Sequence, residues 1–66
     1  MKIIVNGKEK TFEDGTTLTE VIEKLGISSK VMAIAVNMEV VKEDDWSSFI
    51  PKESDKIELL HFVGGG

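Results

Sequence analysis

Thr17-Leu18-Thr19-Glu20-Val21-Ile22-Glu23-Lys24-Leu25-Gly26 is the stretch that decides the fold. Thr17 and Glu20 have the spacing of a capping box, in which each side chain reaches the other residue's backbone N–H. Leu18, Val21, Ile22 and Leu25 recur at helical spacing and form one apolar stripe, while Glu20, Glu23 and Lys24 take the wet side. Gly26 suits the left-handed position just past a helix end. The pattern predicts a single helix of about two to three turns, too short to stand without packing on something else.

The flanking segments supply that partner. Upstream, Lys2 to Asn6 is rich in β-branched residues and stops at Asn6-Gly7, the strongest short-range signal for a hairpin, because both central turn residues need positive φ. Lys8 to Phe12 reads as the return strand, and Asp14-Gly15 closes it with a second turn. Downstream, Val31 to Asn37 reads as a buried strand with Met32, Ile34 and Val36 on one face and Ala33 and Ala35 on the other. Asn37-Met38 turns into a short strand, Glu39 to Lys42. Glu43 to Ser48 is a polar loop around Trp46 with room for one helical turn, and Ile50-Pro51 marks an extended or turn conformation. Ser54-Asp55 is a turn, and Lys56 to Val63 is the last strand. The order is hairpin, helix, strands. It predicts an α+β fold with one helix on one mixed sheet of four to five strands.

A single short helix covers one face of such a sheet. If Ile57 and Leu59 face the helix, Leu60 and Phe62 emerge on the other side, joined by Ile4 if Ile3 and Val5 point inward. An apolar cluster of this kind is either a contact surface or is covered by a loop or a neighbouring molecule.

Composition narrows the function classes. At 66 residues the chain has the size of one small domain, and its stability rests on a marginal core. It contains no cysteine and one histidine, which excludes disulfides, thiolate zinc sites and cysteine nucleophiles. Eight lysines face twelve carboxylates, there is no arginine, and the net charge is −4. Nucleic-acid affinity comes largely from phosphate neutralisation by Lys and Arg, so this balance argues against that role and favours a basic protein partner. No apolar run is long enough to span a membrane, the first residues do not read as a signal peptide, and a cytoplasmic location is the default expectation. His61 reads as a half-exposed structural residue, since no Ser, Cys or acid is placed by motif to pair with it. Trp46 reads as packing over the sheet edge. Glu43-Asp44-Asp45 reads as a solvated acidic loop, because it lacks the spaced ligands of a calcium loop.

The sequence divides into a head, residues 1–63, and a glycine tail, residues 64–66. Three consecutive glycines cannot pack and lose much backbone entropy on ordering, so the expectation is a flexible arm. Gly64-Gly65-Gly66 is either a frayed end or cloning remnant, or a working arm. As an arm, it could thread a channel that any Cβ would block and offer an unhindered carboxyl carbon. A carboxylate has a poor leaving group, so its reaction would need prior conversion to an acyl-adenylate.

Taken together, these features resemble the ubiquitin-like β-grasp fold and, within it, the ThiS-type sulfur carriers of thiamine biosynthesis. The matching residues are Lys2-Ile3-Ile4-Val5-Asn6-Gly7, Gly15-Thr16-Thr17-Leu18, Ala33-Ile34-Ala35-Val36-Asn37 with Val40-Val41, Trp46, and Phe62-Val63-Gly64-Gly65-Gly66. The resemblance implies a protein substrate and not an enzyme, with no bound cofactor. Gly66 would be adenylated by a ThiF-type enzyme using ATP and Mg, then converted to a thiocarboxylate with sulfur from a cysteine desulfurase. The sulfur would pass to thiazole synthase of the ThiG type. Gly64 and Gly65 would serve as the flexible arm, and Leu60 and Phe62 fall where the family's hydrophobic partner surface lies. The rivals are the small subunit of molybdopterin synthase, which shares fold and tail, and a ubiquitin-like modifier or plain binding module.

Overall fold

The computed structural model of the chain describes residues 1–61. The predicted helix is α1, Leu18–Lys24, and its two ends close as the sequence indicates. The Thr17 backbone N–H donates to Glu20 Oε1 at 2.9 Å, and the Glu20 N–H donates to Thr17 Oγ1 at 3.2 Å. At the other end the Gly26 N–H bonds to the Glu23 carbonyl at 3.0 Å and the Ile27 N–H to the Ile22 carbonyl at 3.1 Å, with Gly26 at φ +75°. This pair of bonds is a Schellman closure, and it sets Ile27 over Ile22. Leu18, Val21 and Ile22 are buried, whereas Leu25, at the C-cap, is half-buried at the margin of the core.

The helix packs on a five-stranded sheet. β1 (Lys2–Val5) and β2 (Lys8–Thr11) form the first hairpin, and β3 (Val31–Val36) and β4 (Glu39–Val41) form the second. β5 (Lys56–His61) lies between the hairpins, giving the order β2-β1-β5-β3-β4. Only the β1–β5 pairing is parallel, with Ile4 opposite Lys56 and Val5 opposite Ile57; the other three pairings are antiparallel. The central position of β5 follows from its side chains. Ile57 and Leu59 are buried against Ile3, Val5, Ile34 and Val36 from its two neighbours. The longest loop also faces the core. Trp46 is buried, its Nε1 donating to the Val41 carbonyl at 2.9 Å, and the Trp46 and Phe49 carbonyls accept from the Thr19 and Leu18 N–H groups of the helix start. Those are donors that a helix cannot satisfy internally.

Several details differ from the sequence-based expectation, with β2 ending at Thr11 instead of Phe12 and β3 at Val36 instead of Asn37. Met32 does not share the inner face with Ile34 and Val36 and is 65% exposed. The β3–β5 register shifts between Val31, opposite His61, and Ala33, opposite Leu60, so Met32 occupies a β-bulge and the strict alternation fails there. β4 ends at Val41 and not at Lys42, which begins the approach to a 3₁₀ turn over Glu43–Asp45. Among the described residues no helix is long and apolar enough to cross a membrane.

Candidate functional site

The sheet has one face under α1 and one face open, and register determines what the open face carries. Residues paired across neighbouring strands point the same way. From β4 inward, Val40 stands opposite Ala35, Ala35 opposite Glu58, and Ala33 opposite Leu60. Val40 is 76% exposed and Leu60 62% exposed, and the two alanines between them are half-buried. The small side chains leave a shallow cleft of about 350 Å³, floored by Ala33 and Ala35 and bounded by Val40, Leu60, Glu58 and Asn6. An apolar strip with one carboxylate on its rim can dock an apolar side chain of a partner and meet a cation beside it.

Ile4 also lies on the open face, but it is half-buried and not part of this strip. Its partner on β5 is Lys56, four residues before Leu60, which separates the two by about 13 Å at 3.3 Å per residue. Phe62, the arm residues Gly64 and Gly65, and Gly66 lie outside the described residues. His61 pairs with Val31 and is half-buried, and its Nδ1 has no hydrogen-bond partner among the described residues. Glu43, Asp44 and Asp45 are all exposed on their 3₁₀ turn. Among the described residues no group of three or more His, Cys, Asp or Glu side chains is placed to hold a metal ion.

The strip is anchored beside its apolar floor by a residue whose role the sequence did not disclose. Asn6, in the first hairpin turn, accepts from the Leu59 N–H through Oδ1 at 2.7 Å and donates from Nδ2 to the Leu59 carbonyl at 3.3 Å. Asn6 was legible as a turn residue only. Val40 was also missed, although its parity with Ala33 and Ala35 becomes evident once the β3–β4 turn is placed at Asn37-Met38.

Comparison with known proteins agrees with this architecture. The model of the ThiS family matches residues 3–66. The chain is 29% identical to the sulfur carrier protein ThiS of Escherichia coli, with both chains covered in full. It is 38% identical to part of a thiazole synthase of Magnetococcus marinus, all of this chain aligning with 20% of that protein. It thus spans about a fifth of the length of the thiazole synthases that it matches. A crystal structure of the thiamine biosynthesis protein ThiS from Geobacter metallireducens superposes with a TM-score of 0.77 at 30% identity, over the whole of both chains. A β-grasp sheet carrying one helix, matched along nearly its whole length, makes this chain a member of the ThiS family.

Proposed function

We propose that the protein is a sulfur carrier of thiamine biosynthesis, a covalently modified substrate of partner enzymes with no catalytic residues of its own. The observation that carries this reading is the family match continuing through Gly66, on a head whose open sheet face bears the strip ending at Leu60.

The chemistry follows from what a carboxylate lacks. A Gly66 carboxylate oxygen attacks the α-phosphorus of ATP on a ThiF-type enzyme, and pyrophosphate leaves with Mg balancing its charge. The acyl-adenylate now has a good leaving group. A persulfide sulfur supplied through a cysteine desulfurase attacks the acyl carbon and AMP departs; a second thiol then attacks the donor sulfur of the resulting acyl disulfide, forms a disulfide with it, and releases the thiocarboxylate. Thiazole synthase then takes the sulfur. Each partner must recognise a small acidic head and admit a narrow arm. Leu60 and its alanine-floored cleft offer the recognition surface, and Gly64 and Gly65, which carry no side chains, the slim arm.

Incubation with a ThiF-type enzyme, MgATP and a sulfur source, followed by intact-mass analysis, tests the reading. The expected result is a mass gain equal to replacement of one oxygen by sulfur, localised to Gly66 and lost when Gly66 is deleted. An unchanged mass under conditions that modify an authentic ThiS would overturn it. Restored growth of a carrier-deletion strain without added thiazole assigns the thiamine branch over the molybdopterin one. Leu60→Asp should raise the KM for the activating enzyme with little change in melting temperature, because the side chain is exposed.

A further inference from the structure

Glu58 is the one charged side chain among the described residues that line the alanine-floored cleft. Ile57 and Leu59 on either side of it are buried, so strand alternation turns Glu58 out onto the open face, where it is exposed. None of its neighbours neutralises it. On the β3 side it stands opposite Ala35, whose side chain has no polar atom. On the β1 side the register of Ile4 with Lys56 and Val5 with Ile57 brings Asn6 beside it, but the Asn6 amide is committed to the Leu59 backbone at 2.7 and 3.3 Å. Along β5, Lys56 comes two residues earlier on the same face, about 6.6 Å away at 3.3 Å per residue. The ion pairs among the described residues are Met1 with Asp14 and Lys2 with Glu9, and neither includes Glu58.

A partner that covers the cleft must answer this carboxylate. An apolar side chain laid over Ala33 and Ala35 would strip water from Glu58 and return nothing, which costs free energy. A lysine or arginine avoids that cost. Its aliphatic stem can lie on the alanines between Val40 and Leu60 while its charged head meets Glu58. The net charge of −4 favours encounter with such a cation. We propose that the cleft and Glu58 form a subsite for one cationic side chain of the activating enzyme, with Glu58 as the residue that determines specificity in recognition of the head. This rests on the carrier function proposed above, and it concerns docking of the head and not delivery of the arm.

Titration calorimetry of the full chain with a ThiF-type activating enzyme, without ATP and well below the melting temperature, tests the subsite. Glu58→Gln should raise Kd about three- to tenfold, and Glu58→Lys, which sets like charges together, by about tenfold or more. Both variants should fold as the parent does, because the side chain is exposed. Glu23→Lys makes the same charge change on the exposed side of α1, across the sheet from the cleft, and should leave Kd within about twofold. The sign of the Glu58→Gln effect separates the two kinds of occupant. An apolar side chain would bind more tightly once the carboxylate is gone, so tighter or unchanged binding would overturn the proposal. So would a loss in Glu23→Lys equal to that in Glu58→Lys, since overall charge and not the cleft would then set the affinity. An unsubstituted chain that neither binds the enzyme nor supports ATP–pyrophosphate exchange would overturn the carrier reading and this proposal with it. Normal exchange with a Kd indifferent to Glu58 would sink this proposal alone.

Discussion

The two hairpin turns solve the same problem with different residues. In Asn6-Gly7 both residues are left-handed, at φ +48° and +82°, and in Asn37-Met38 they are again left-handed, at +51° and +72°. Each asparagine donates its backbone N–H to a β5 carbonyl, Asn6 to Ile57 at 2.9 Å and Asn37 to Lys56 at 2.8 Å. Each also accepts a β5 N–H on its side-chain oxygen, Leu59 on Asn6 at 2.7 Å and Lys56 on Asn37 at 2.9 Å. Left-handed asparagines thus hold β5 from both of its sides, Asn37 at its first residue, Lys56, and Asn6 at Ile57 and Leu59. Two things differ. The Asn6 bonds are partly buried, whereas those of Asn37 lie at the surface, where its Nδ2 donates to Asp55 Oδ1 at 2.9 Å. The second turn residue is glycine in one case and an 87% exposed methionine in the other. Burial sets how much each asparagine contributes, and the following residue sets how much strain its turn holds.

The largest effect is expected from removing the Asn6 amide, whose bonds to Leu59 are partly buried. Asn6→Ala loses two hydrogen bonds, leaves Leu59 N–H and C=O partly buried without partners, and replaces asparagine by a residue that tolerates positive φ less well. The expected cost is about 2–4 kcal/mol in denaturant unfolding, a large share of the stability of a domain this small. Asn37→Ala carries the same backbone penalty but exposes its former partners to water, so it should cost about 1–2 kcal/mol. Because the backbone terms match, the gap between the two variants reads the burial of the bonds directly. Equal losses would mean that burial does not separate the turns.

The second residues give a mirrored pair of smaller effects. A Cβ at Gly7 would meet nothing within 4 Å, so Gly7→Ala tests backbone strain alone and should destabilise by about 1 kcal/mol. Met38→Gly should relieve the same strain and stabilise by about 0.5–1 kcal/mol, less any entropy lost by the extra glycine. A destabilised Met38→Gly would show that the exposed side chain makes contacts worth more than its strain.

How much of this was legible in the sequence divides along the same line. Asn6-Gly7, the Thr17/Glu20 cap and the Gly26 stop are local signals, and each holds in the structure because only residues a few positions apart are involved. Strand parity was equally local, which is why Ile57 and Leu59 could be assigned to the core. What alternation could not supply was register. The parallel pairing of β1 with β5 sets Ile4 opposite Lys56, far from Leu60, and depends on residues more than fifty positions apart. The bulge at Met32 and the bridging amides of Asn6 and Asn37 are likewise consequences of long-range pairing, and a turn dipeptide carries no sign of them. At the open sheet face, Ala33 and Ala35 were visible as a small-residue face, but the cleft over them forms only once Val40 and Leu60 are brought in by their neighbouring strands.

The smallest effect concerns a local device that owes nothing to β5 and so serves as a control on the turns. The Thr17 backbone N–H and then its hydroxyl hold the Glu20 carboxyl below its ordinary value of 4.5, with Lys24 adding a weaker pull in the same direction. A carboxylate whose pKa is lower in the folded chain stabilises that chain fully above its unfolded value and ceases to do so as pH falls through the folded value. The melting temperature should therefore fall slightly as the solution is acidified from near 4.5 downward. Glu20→Gln keeps an acceptor for the Thr17 N–H but removes the titrating group, and the difference between variant and parent should shrink across that window. Glu20 is solvent-exposed, so the change should be well below that of either asparagine variant. Asn6→Ala should leave the pH dependence of this difference untouched, since the helix cap and the β5 clamp share no residue. A change in the Glu20 increment in the Asn6→Ala background would show that the helix start and the end of β5 are energetically coupled across the core.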